Sequence, residues 1–324
     1  MSDTPHRPHQ AMGPGREFDT IRMLMARWGD LAVDIGDDAA VLPEVGGRQR
    51  VVSTDACVEG AHFLRAWITP REVGVRAAAA AFSDLAAMGA QADALLAALA
   101  VSDAWIPSLG ELAEGIGEVV RASGAKIIGG NLSRSATLAV TSTVIGSALR
   151  PVGRRGAQPG DVVVVTGRLG GPGSAIAAWY ANAEPSAWAR ARFAAPVPRL
   201  AEGQRLAAAG ARAMLDISDG LVADARHLAA ASGVRIVIHA DAVPRGEGIS
   251  LESAMASGEE YELLAALPPE ALASLQRDWA SSFDVPLTVI GRVDGFADGG
   301  EVRITDGISP PRVEITSGHD HFSG

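Results

Sequence analysis

Several aspartates of this chain stand among small or apolar residues, where a charged side chain is unusual. Asp55 follows a Val-Val pair, and Asp216 lies inside the run Met-Leu-Asp-Ile. Aspartates in similar surroundings are Asp37, Asp38, Asp84 and Asp219. Burying an ionised carboxylate is costly unless it is paired or bound to a metal ion. The pattern therefore indicates a site that collects cations.

Each of these aspartates also has a structural explanation when it is taken alone. Asp37-Asp38 fits a turn, Asp55 a strand end, Asp84 a buried hydrogen-bond acceptor and Asp219-Gly220 a turn before a helix. The chain has a single lysine, Lys126, so lysines do not match so many carboxylates. Hard oxygen donors without clusters of Cys or His favour Mg²⁺, and more than one ion.

Sequence motifs limit how a nucleotide could bind. There is no G-x-x-x-x-G-K-[ST] sequence, so phosphate charge would have to be met by metal ions, arginines and backbone amides. The glycine-rich stretch 167–173 follows a strand-like run and resembles a dinucleotide-binding turn. No clear acidic residue ends a next strand about 20 residues on, so we interpret the stretch as a tight strand-to-helix turn.

Helical and strand patterns alternate along the chain, which predicts an α/β (α+β) fold. In the first half we expect helices at about 17–28, 69–89 and 108–124, and strands at 50–58, 92–101, 125–128 (buried) and 137–149. In the second half we expect a helix at about 221–232 and strands at 161–166, 213–217, 234–239, 261–267 and 287–293.

Composition divides the chain and excludes some functions. Residues 1–16 are predicted to be a disordered leader, residues 17–150 a first domain and residues 151–324 a second, with the boundary in a Gly-, Pro- and Arg-rich stretch. The net charge of −10 argues against a nucleic-acid or anionic-membrane partner. A single cysteine, Cys57, excludes an internal disulfide and a thiolate zinc site. With no apolar leader or span, a cytoplasmic location is expected.

The order of the motifs resembles one known family. The motifs are Gly36-Asp37-Asp38, Ser53-Thr54-Asp55, Gly60-Ala61-His62-Phe63, Ser83-Asp84-Leu85, Gly129-Gly130-Asn131, Asp216-Ile217-Ser218-Asp219-Gly220, Gly258-Glu259-Glu260-Tyr261-Glu262 and His319-Asp320-His321-Phe322. This arrangement is similar to that of the thiamine-monophosphate kinases, whose superfamily includes aminoimidazole ribonucleotide synthetase and selenophosphate synthetase. The resemblance covers nearly the whole chain beyond the leader.

The resemblance implies a fold, ligands and residue roles. It implies a homodimer in which the mixed N-terminal sheets of two subunits form a barrel, a C-terminal α/β domain, and ATP phosphates held through several Mg²⁺ ions. The implied metal ligands are Asp38, Ser53, Thr54, Asp55, Asp84, Asn131, Asp216 and Asp219. The implied ATP contacts are Gly130, Arg155 and Ser218, and the implied contacts to thiamine monophosphate are His62, Glu259 and His319.

The expected reaction is direct in-line transfer from ATP to thiamine monophosphate. The acceptor phosphate is largely dianionic near neutral pH, since its second pKa is about 6. It is therefore already a nucleophile, and no catalytic general base is assigned. Three residues depart from the family pattern: Asn131 and Glu260 stand where aspartates are usual, and His319 where an aromatic residue is frequent. The alternatives are a relative that phosphorylates another small acceptor and a weakly active protein that binds nucleotide or thiamine phosphate.

Overall fold

A computed structural model describes residues 9–305 of the chain. Its α-helices are α1 (Arg16–Trp28), α2 (Pro70–Ala87), α3 (Leu109–Ser123), α4 (Gly171–Tyr180), α5 (Ala187–Ala194), α6 (Leu200–Ala209), α7 (Leu221–Ser232), α8 (Leu251–Ala256) and α9 (Pro269–Ser282). Its strands are β1 (Ala40–Val45), β2 (Arg48–Val58), β3 (Gln91–Val101), β4 (Lys126–Arg134), β5 (Ala139–Ala148), β6 (Val162–Thr166), β7 (Ala213–Asp216), β8 (Val234–His239), β9 (Leu263–Leu267), β10 (Leu287–Phe296) and β11 (Glu301–Thr305).

The first half of the chain builds a five-stranded mixed sheet in the order β1-β2-β5-β3-β4. Only the β3–β4 pair is parallel within this sheet. Helix α2 begins with a complete capping box, in which Thr69 and Glu72 exchange side-chain and backbone hydrogen bonds. It packs on one face of the sheet, and its apolar side chains share a core with those of β3 and β5.

Glycines let α2 and α3 lie very close together. A Cβ atom on Gly74 would come within 2.1 Å of the Leu112 carbonyl oxygen, and one on Gly115 within 1.9 Å of the Arg71 carbonyl oxygen. Neither contact is possible for a residue with a side chain, so both helices need glycine where they touch.

The second half builds a six-stranded sheet in the order β11-β8-β10-β6-β9-β7. Strands β6 and β9 are buried on both faces, as expected for continuous apolar runs. One face packs against α7 and α8, and the other against α6 and α9. The C-terminal end of α2 contacts β7 and α6, so this helix joins the two sheets.

The structure agrees with the predicted α/β class and changes several local expectations. The strand expected to be buried at 125–128 is the edge strand β4, and all of its residues are exposed in this chain. The sequence analysis did not predict β1, α5, α6, α8, α9 or β11. The glycine-rich stretch is a strand-to-helix turn between β6 and α4, as expected.

Residues 9–15 differ from the leader that the sequence suggested. The side-chain amide of Gln10 donates to Asp37 Oδ2 at 2.5 Å, and the Gly13 amide donates to His227 Nδ1 at 3.1 Å. The Nδ1 atom of His9 accepts a hydrogen bond from the Ile35 amide at 3.2 Å. This segment therefore lies against both halves of the chain. None of the helices within residues 9–305 has the length and apolar character to cross a membrane.

Candidate active site

A cavity of about 390 Å³ lies where β2, α2, β7 and the start of α7 meet. Its lining includes seven aspartates and two glutamates, which are Asp37, Asp38, Asp55, Asp84, Asp216, Asp219, Asp224, Glu17 and Glu259. Arg154 is the one arginine among the described residues that line it. The cavity therefore has a large excess of acidic groups.

Three of the predicted aspartates form the centre of this cavity. Asp38 comes from the turn before β1, Asp84 from α2 and Asp216 from the end of β7. Each offers a carboxylate oxygen, and these oxygens lie within 4.8 Å of one another. Residues 132 positions apart in sequence, Asp84 and Asp216, meet because α2 contacts β7. Such a set of oxygens matches the ligands that Mg²⁺ prefers.

Two serines fix the orientation of these carboxylates. The Ser53 hydroxyl donates to Asp84 Oδ2 at 2.5 Å, and the Ser83 hydroxyl donates to Asp216 Oδ2 at 2.5 Å. Ser53 and Asp55 are two positions apart on β2, so their side chains lie on the same face of the sheet, which faces α2. The hydroxyls hold the carboxylates in place but bring no positive charge.

Arg154 supplies part of the missing positive charge. Its Nε donates to Asp38 Oδ1 at 3.0 Å, and its backbone amide donates to Asp37 Oδ1 at 3.0 Å. The other oxygen of Asp38, Oδ2, is buried without a hydrogen-bond partner. One guanidinium therefore leaves the carboxylates only partly satisfied.

The pKa values reflect this shortage of cations. Burial, followed by the charge of Asp38, raises the pKa of Asp37 to about 6. Burial also raises the pKa of Asp38 to about 6 against the opposing effect of Arg154, and that of Asp216 to about 6. Burial and the neighbouring charge of Asp216 raise the pKa of Asp84. A divalent ion between these groups would remove the repulsion.

A second group joins the cavity at the start of α7. Ligand atoms of Asp219, Asp224 and His227 lie within 4.8 Å of one another. Oδ2 of Asp224 accepts hydrogen bonds from the backbone amides of residues 218, 219 and 220 at 3.0–3.1 Å. Asp224 thus holds the loop that carries Ser218 and Asp219. Burial lowers the pKa of His227 to about 3, so its ring is neutral.

His62 and Glu259 both line the cavity. Nδ1 of His62 accepts the Val58 amide at 3.0 Å, which places the proton of a neutral ring on Nε2 and makes that atom a donor. Glu259 lies on the segment before β9, where its amide donates to the Ser218 carbonyl at 2.6 Å. A donor and a carboxylate therefore face the same space.

The structure brings most of the predicted site residues together. Asp38, Ser53, Thr54, Asp55, His62, Asp84, Asp216, Ser218, Asp219 and Glu259 all line the one cavity. The Thr54 hydroxyl, however, is exposed and lies 3.1 Å from the Thr143 hydroxyl on the neighbouring strand. By alternation along β2 it points to the sheet face opposite Ser53 and Asp55, so its side chain lies away from the carboxylates.

Three predicted residues lie elsewhere, and one is outside the described part. Gly130 and Asn131 are on β4, at the far edge of the first sheet from β2. Arg155 lines a separate cavity and donates to the His9 carbonyl at 3.3 Å, whereas its neighbour Arg154 reaches the carboxylates. His319 lies outside residues 9–305.

Sequence patterns did not point to several lining residues, which are Met12, Glu17, Phe18, Ile21, Arg154, Asp224, His227 and Tyr261. Asp224 and His227 have three-residue spacing on a helix, which was a usable signal. Arg154 and Arg155 stand in an irregular loop, where spacing does not show which side chain points inward.

The glycine-rich turn does not offer a phosphate site. The Gly170 amide donates to Glu260 Oε1 at 2.5 Å, and the Gly167 amide donates to the Pro286 carbonyl at 2.9 Å. These internal acceptors use the amides that a dinucleotide would need.

Comparison with known proteins gives the same relationship along most of the chain. The families described as AIR synthase related protein, N-terminal domain, and AIR synthase related protein, C-terminal domain, match residues 36–148 and 158–302. The chain is 40% identical over 228 residues to a thiamine-monophosphate kinase of Mycobacterium tuberculosis, covering 69% of this chain and 68% of that protein. It is 32% identical over 325 residues to a thiamine-monophosphate kinase of Salmonella typhimurium, covering 95% and 96% of the two chains.

Solved structures show the same similarity. AaThiL complexed with AMPPCP and TMP superposes with a TM-score of 0.82 at 30% sequence identity, covering 95% of this chain and 97% of that chain.

Proposed function

Because this chain belongs to the thiamine-monophosphate kinase family of AIR synthase related proteins, we propose that it transfers the γ-phosphate of ATP to thiamine monophosphate. The observation that carries the proposal is the meeting of Asp38, Asp84 and Asp216 in one cavity that has too few cations. AMPPCP is a non-hydrolysable analogue of ATP, so the similar AaThiL complex supports this pair of substrates. We also propose that residues 17–150 and 151–324 form the two domains and that the protein is located in the cytoplasm.

The proposal includes several Mg²⁺ ions, and the donor set fits them. Carboxylate and hydroxyl oxygens converge, no cysteine is among the described residues that line the cavity, and the buried Oδ2 of Asp38 has no hydrogen-bond partner. Asp38, Asp84 and Asp216 would hold metal at the centre, with Ser53, Asp55 and Asp219 around them. Bound Mg²⁺ would offset the negative charge of the ATP phosphates and of the acceptor.

The chain's own residues would position the acceptor. Nε2–H of His62 can donate to the acceptor phosphate, and Ser218 lies on an ordered loop that can meet the phosphates of ATP. The acceptor is a dianion near neutral pH and attacks without losing a proton, so no residue is needed as a general base. We therefore expect direct transfer. Acid quenching of a reaction with γ-³²P-labelled ATP should leave no label on the protein.

We also propose a homodimer, and it accounts for Gly130 and Asn131. Within residues 9–305, no strand pairs with the outer side of β4, and β1 pairs only with the first part of β2, up to Val52. The sheet thus has two open edges, and β4 exposes apolar side chains, which are Ile127, Ile128 and Leu132. A second copy that closes these edges into a barrel would pair its β4 with residues 53–58 of β2. Gly130 and Asn131 of that copy would then lie beside the predicted metal strand.

The dimer can be tested separately from the activity. Leu132→Lys places a charge on the open edge, and we expect it to halve the mass measured by light scattering and to reduce turnover. Leu149→Lys is a matched control, because Leu149 is also exposed but lies outside β4. A monomeric wild-type protein with full activity would contradict the dimer and the role of Asn131.

A coupled assay of ADP release with ATP and Mg²⁺, with and without thiamine monophosphate, tests the proposed function. We expect ADP release that depends on the acceptor. Asn131 brings no charge to a position where the family usually has aspartate, which favours one alternative, a weakly active binding protein. ATP binding without acceptor-dependent ADP release would support that alternative, or a different acceptor, and contradict the proposal.

A further inference from the structure

A buried arginine on α2 reaches the acceptor side of the candidate active site. The side chain of Arg76 is 1% exposed, and its Nη2 atom contacts Oε1 of Glu259, whose side chain is 16% exposed. Glu259 lines the cavity, whereas Arg76 lies behind it. The contact therefore links a residue of the first half of the chain to a cavity carboxylate of the second.

Two further contacts fix the guanidinium of Arg76. Its Nη1 atom donates to the Phe193 carbonyl oxygen at 2.7 Å, and its central carbon lies 4.0 Å from the centre of the Phe193 ring. A planar guanidinium makes a directed hydrogen bond, a ring contact and an ion pair from one rigid fork, whereas an ammonium group has no such fixed geometry. The position of the charge behind Glu259 is thus set by α5 as well as by α2.

The backbone around Glu259 is also held in an unusual conformation. Glu259 has φ of 60° and Tyr261 has φ of 52°, which are left-handed values that residues with side chains adopt rarely. Amides of both residues donate to the loop that bears Ser218, at 2.6 Å to the Ser218 carbonyl and 2.9 Å to the Ile217 carbonyl. Such conformations persist only when the surroundings determine them, and they concentrate at functional sites.

The charge of Glu259 indicates which part of the acceptor it can meet. A carboxylate repels a phosphate, so it is unsuited to the phosphate end of thiamine monophosphate. The organic end has a positively charged thiazolium and an aminopyrimidine that donates hydrogen bonds, and both attract a carboxylate. A carboxylate that is held through one oxygen can still accept on the other.

We propose that Arg76 is a positioning residue that holds Glu259 for recognition of the cationic, amino-bearing part of the acceptor. This inference rests on the proposed function. It assigns acceptor specificity to the Arg76–Glu259 pair and leaves ATP and phosphate binding to other groups. Without Arg76, Glu259 loses the cation that orients it. The repulsion between Glu259 and Asp55 is then no longer offset by the charge of Arg76.

The test compares two acceptors on four variants. The acceptors are thiamine monophosphate and the phosphate ester of its hydroxyethylthiazole, which lacks the aminopyrimidine and the fixed positive charge. We expect Glu259→Gln and Arg76→Met to raise KM for thiamine monophosphate by about 10- to 100-fold with little change in kcat. Turnover of the thiazole phosphate and KM for ATP should be unchanged. Arg76→Lys should restore part of the loss, since it keeps the charge but not the fork.

The double variant Arg76→Met with Glu259→Gln shows whether Arg76 acts through Glu259. We expect it to match Glu259→Gln alone. Arg71→Met is the matched control, since Arg71 is on the same helix and its side chain is 57% exposed. Thermal unfolding with and without ATP identifies any variant that fails to fold, and Arg76→Lys then carries the comparison.

The outcomes separate the inference from the proposed function. Equal losses with both acceptors, or a further full loss in the double variant, would overturn the inference while the kinase activity stands. No turnover by the wild-type protein would contradict the proposed function. In that case, equal affinities of wild type and Arg76→Met for thiamine monophosphate by calorimetry would overturn the inference as well.

Discussion

Two sets of buried acidic residues, the cavity carboxylates and Glu262, differ in how their charge is compensated. The carboxylates of the cavity share one lining arginine, Arg154. By contrast, Glu262 forms ion pairs with Arg199 at 2.6 Å and with Arg192 at 2.8 Å. The Thr166 hydroxyl also donates to Glu262 at 2.6 Å.

This difference separates buried acids with few neighbouring cations from a buried acid that is paired with cations of the chain itself. Glu262 has its cations within the chain, so its charge is compensated whatever is bound. Burial raises the pKa values of the cavity aspartates Asp38, Asp84 and Asp216, and the neighbouring cations do not offset it. An excess of buried carboxylates therefore indicates an external cation, whereas a matched set indicates a structural ion network.

The largest expected effect is the loss of activity in Asp84→Asn. Removing a central oxygen charge should lower kcat/KM by on the order of 1,000-fold. Stability without metal should be unchanged or higher, because one buried charge with like neighbours is removed. Steady-state kinetics and urea unfolding measure both quantities. Asp103→Asn, which changes an exposed surface pair, is the control. The comparison would be contradicted if Asp84→Asn lowered the free energy of unfolding by as much as it raised the activation free energy.

Glu262→Gln should show the opposite behaviour. Breaking one partner of a buried ion network should cost about 3–5 kcal/mol in the free energy of unfolding. Turnover per folded molecule should fall by less than about tenfold, since Glu262 does not line the carboxylate cavity. Glu301→Gln, in a surface pair with Arg235, should cost less than about 1 kcal/mol. Urea unfolding that gave similar losses for both variants would remove the distinction.

The metal-free protein should become less stable as pH rises from about 4 to 7. Asp37, Asp38 and Asp216 have folded-state pKa values of about 6, above their usual value near 3.9, so the folded state binds more protons in this range. Their contribution is complete below about pH 4 and is lost as pH passes through about 6. In EDTA, calorimetry should show a Tm at pH 7 that is lower than the Tm at pH 4 by about 5 °C or more.

Mg²⁺ should reverse this loss because it binds the ionised carboxylates. We expect the rise in Tm on addition of Mg²⁺ to be larger at pH 7.5 than at pH 5. An equal rise at both values, or none, would show that the cavity aspartates do not take up the ion.

Asn131→Asp should have the smallest effect. A carboxylate at this position would add charge to the metal site of the proposed dimer and lower the Mg²⁺ concentration needed for half-maximal activity. The change in kcat should be less than about tenfold, since the other carboxylates already hold the metal. A much larger gain in kcat would instead show that Asn131 limits the enzyme.

The sequence pointed to several aspartates that the structure brings together, because their surroundings are unusual. Asp55, Asp84 and Asp216 each interrupt an apolar run, and the structure places them in one cavity. The motif around Asp55 also predicted Thr54 as a metal ligand, but its side chain lies on the sheet face opposite Ser53 and Asp55, as alternation along β2 requires. Charged residues inside otherwise apolar segments can therefore be identified from the sequence.

Other features depended on tertiary packing. The choice between Arg154 and Arg155 is set by a loop that has no periodicity. Strand order decides that β4 is an edge strand, so the exposure of Ile127 and Ile128 could not be derived from their apolar character. The short helices α5 and α6 also depend on packing; α5 carries Arg192, and Arg199 directly precedes α6.

The most direct measurement is the product of wild-type protein with ATP, Mg²⁺ and thiamine monophosphate, identified by chromatography and mass spectrometry. Our account predicts ADP and thiamine diphosphate in equal amounts, and almost none of either from Asp84→Asn. ADP without thiamine diphosphate, or equal product from Asp84→Asn, would contradict the conclusion that the uncompensated carboxylates form a site for phosphate transfer to this acceptor.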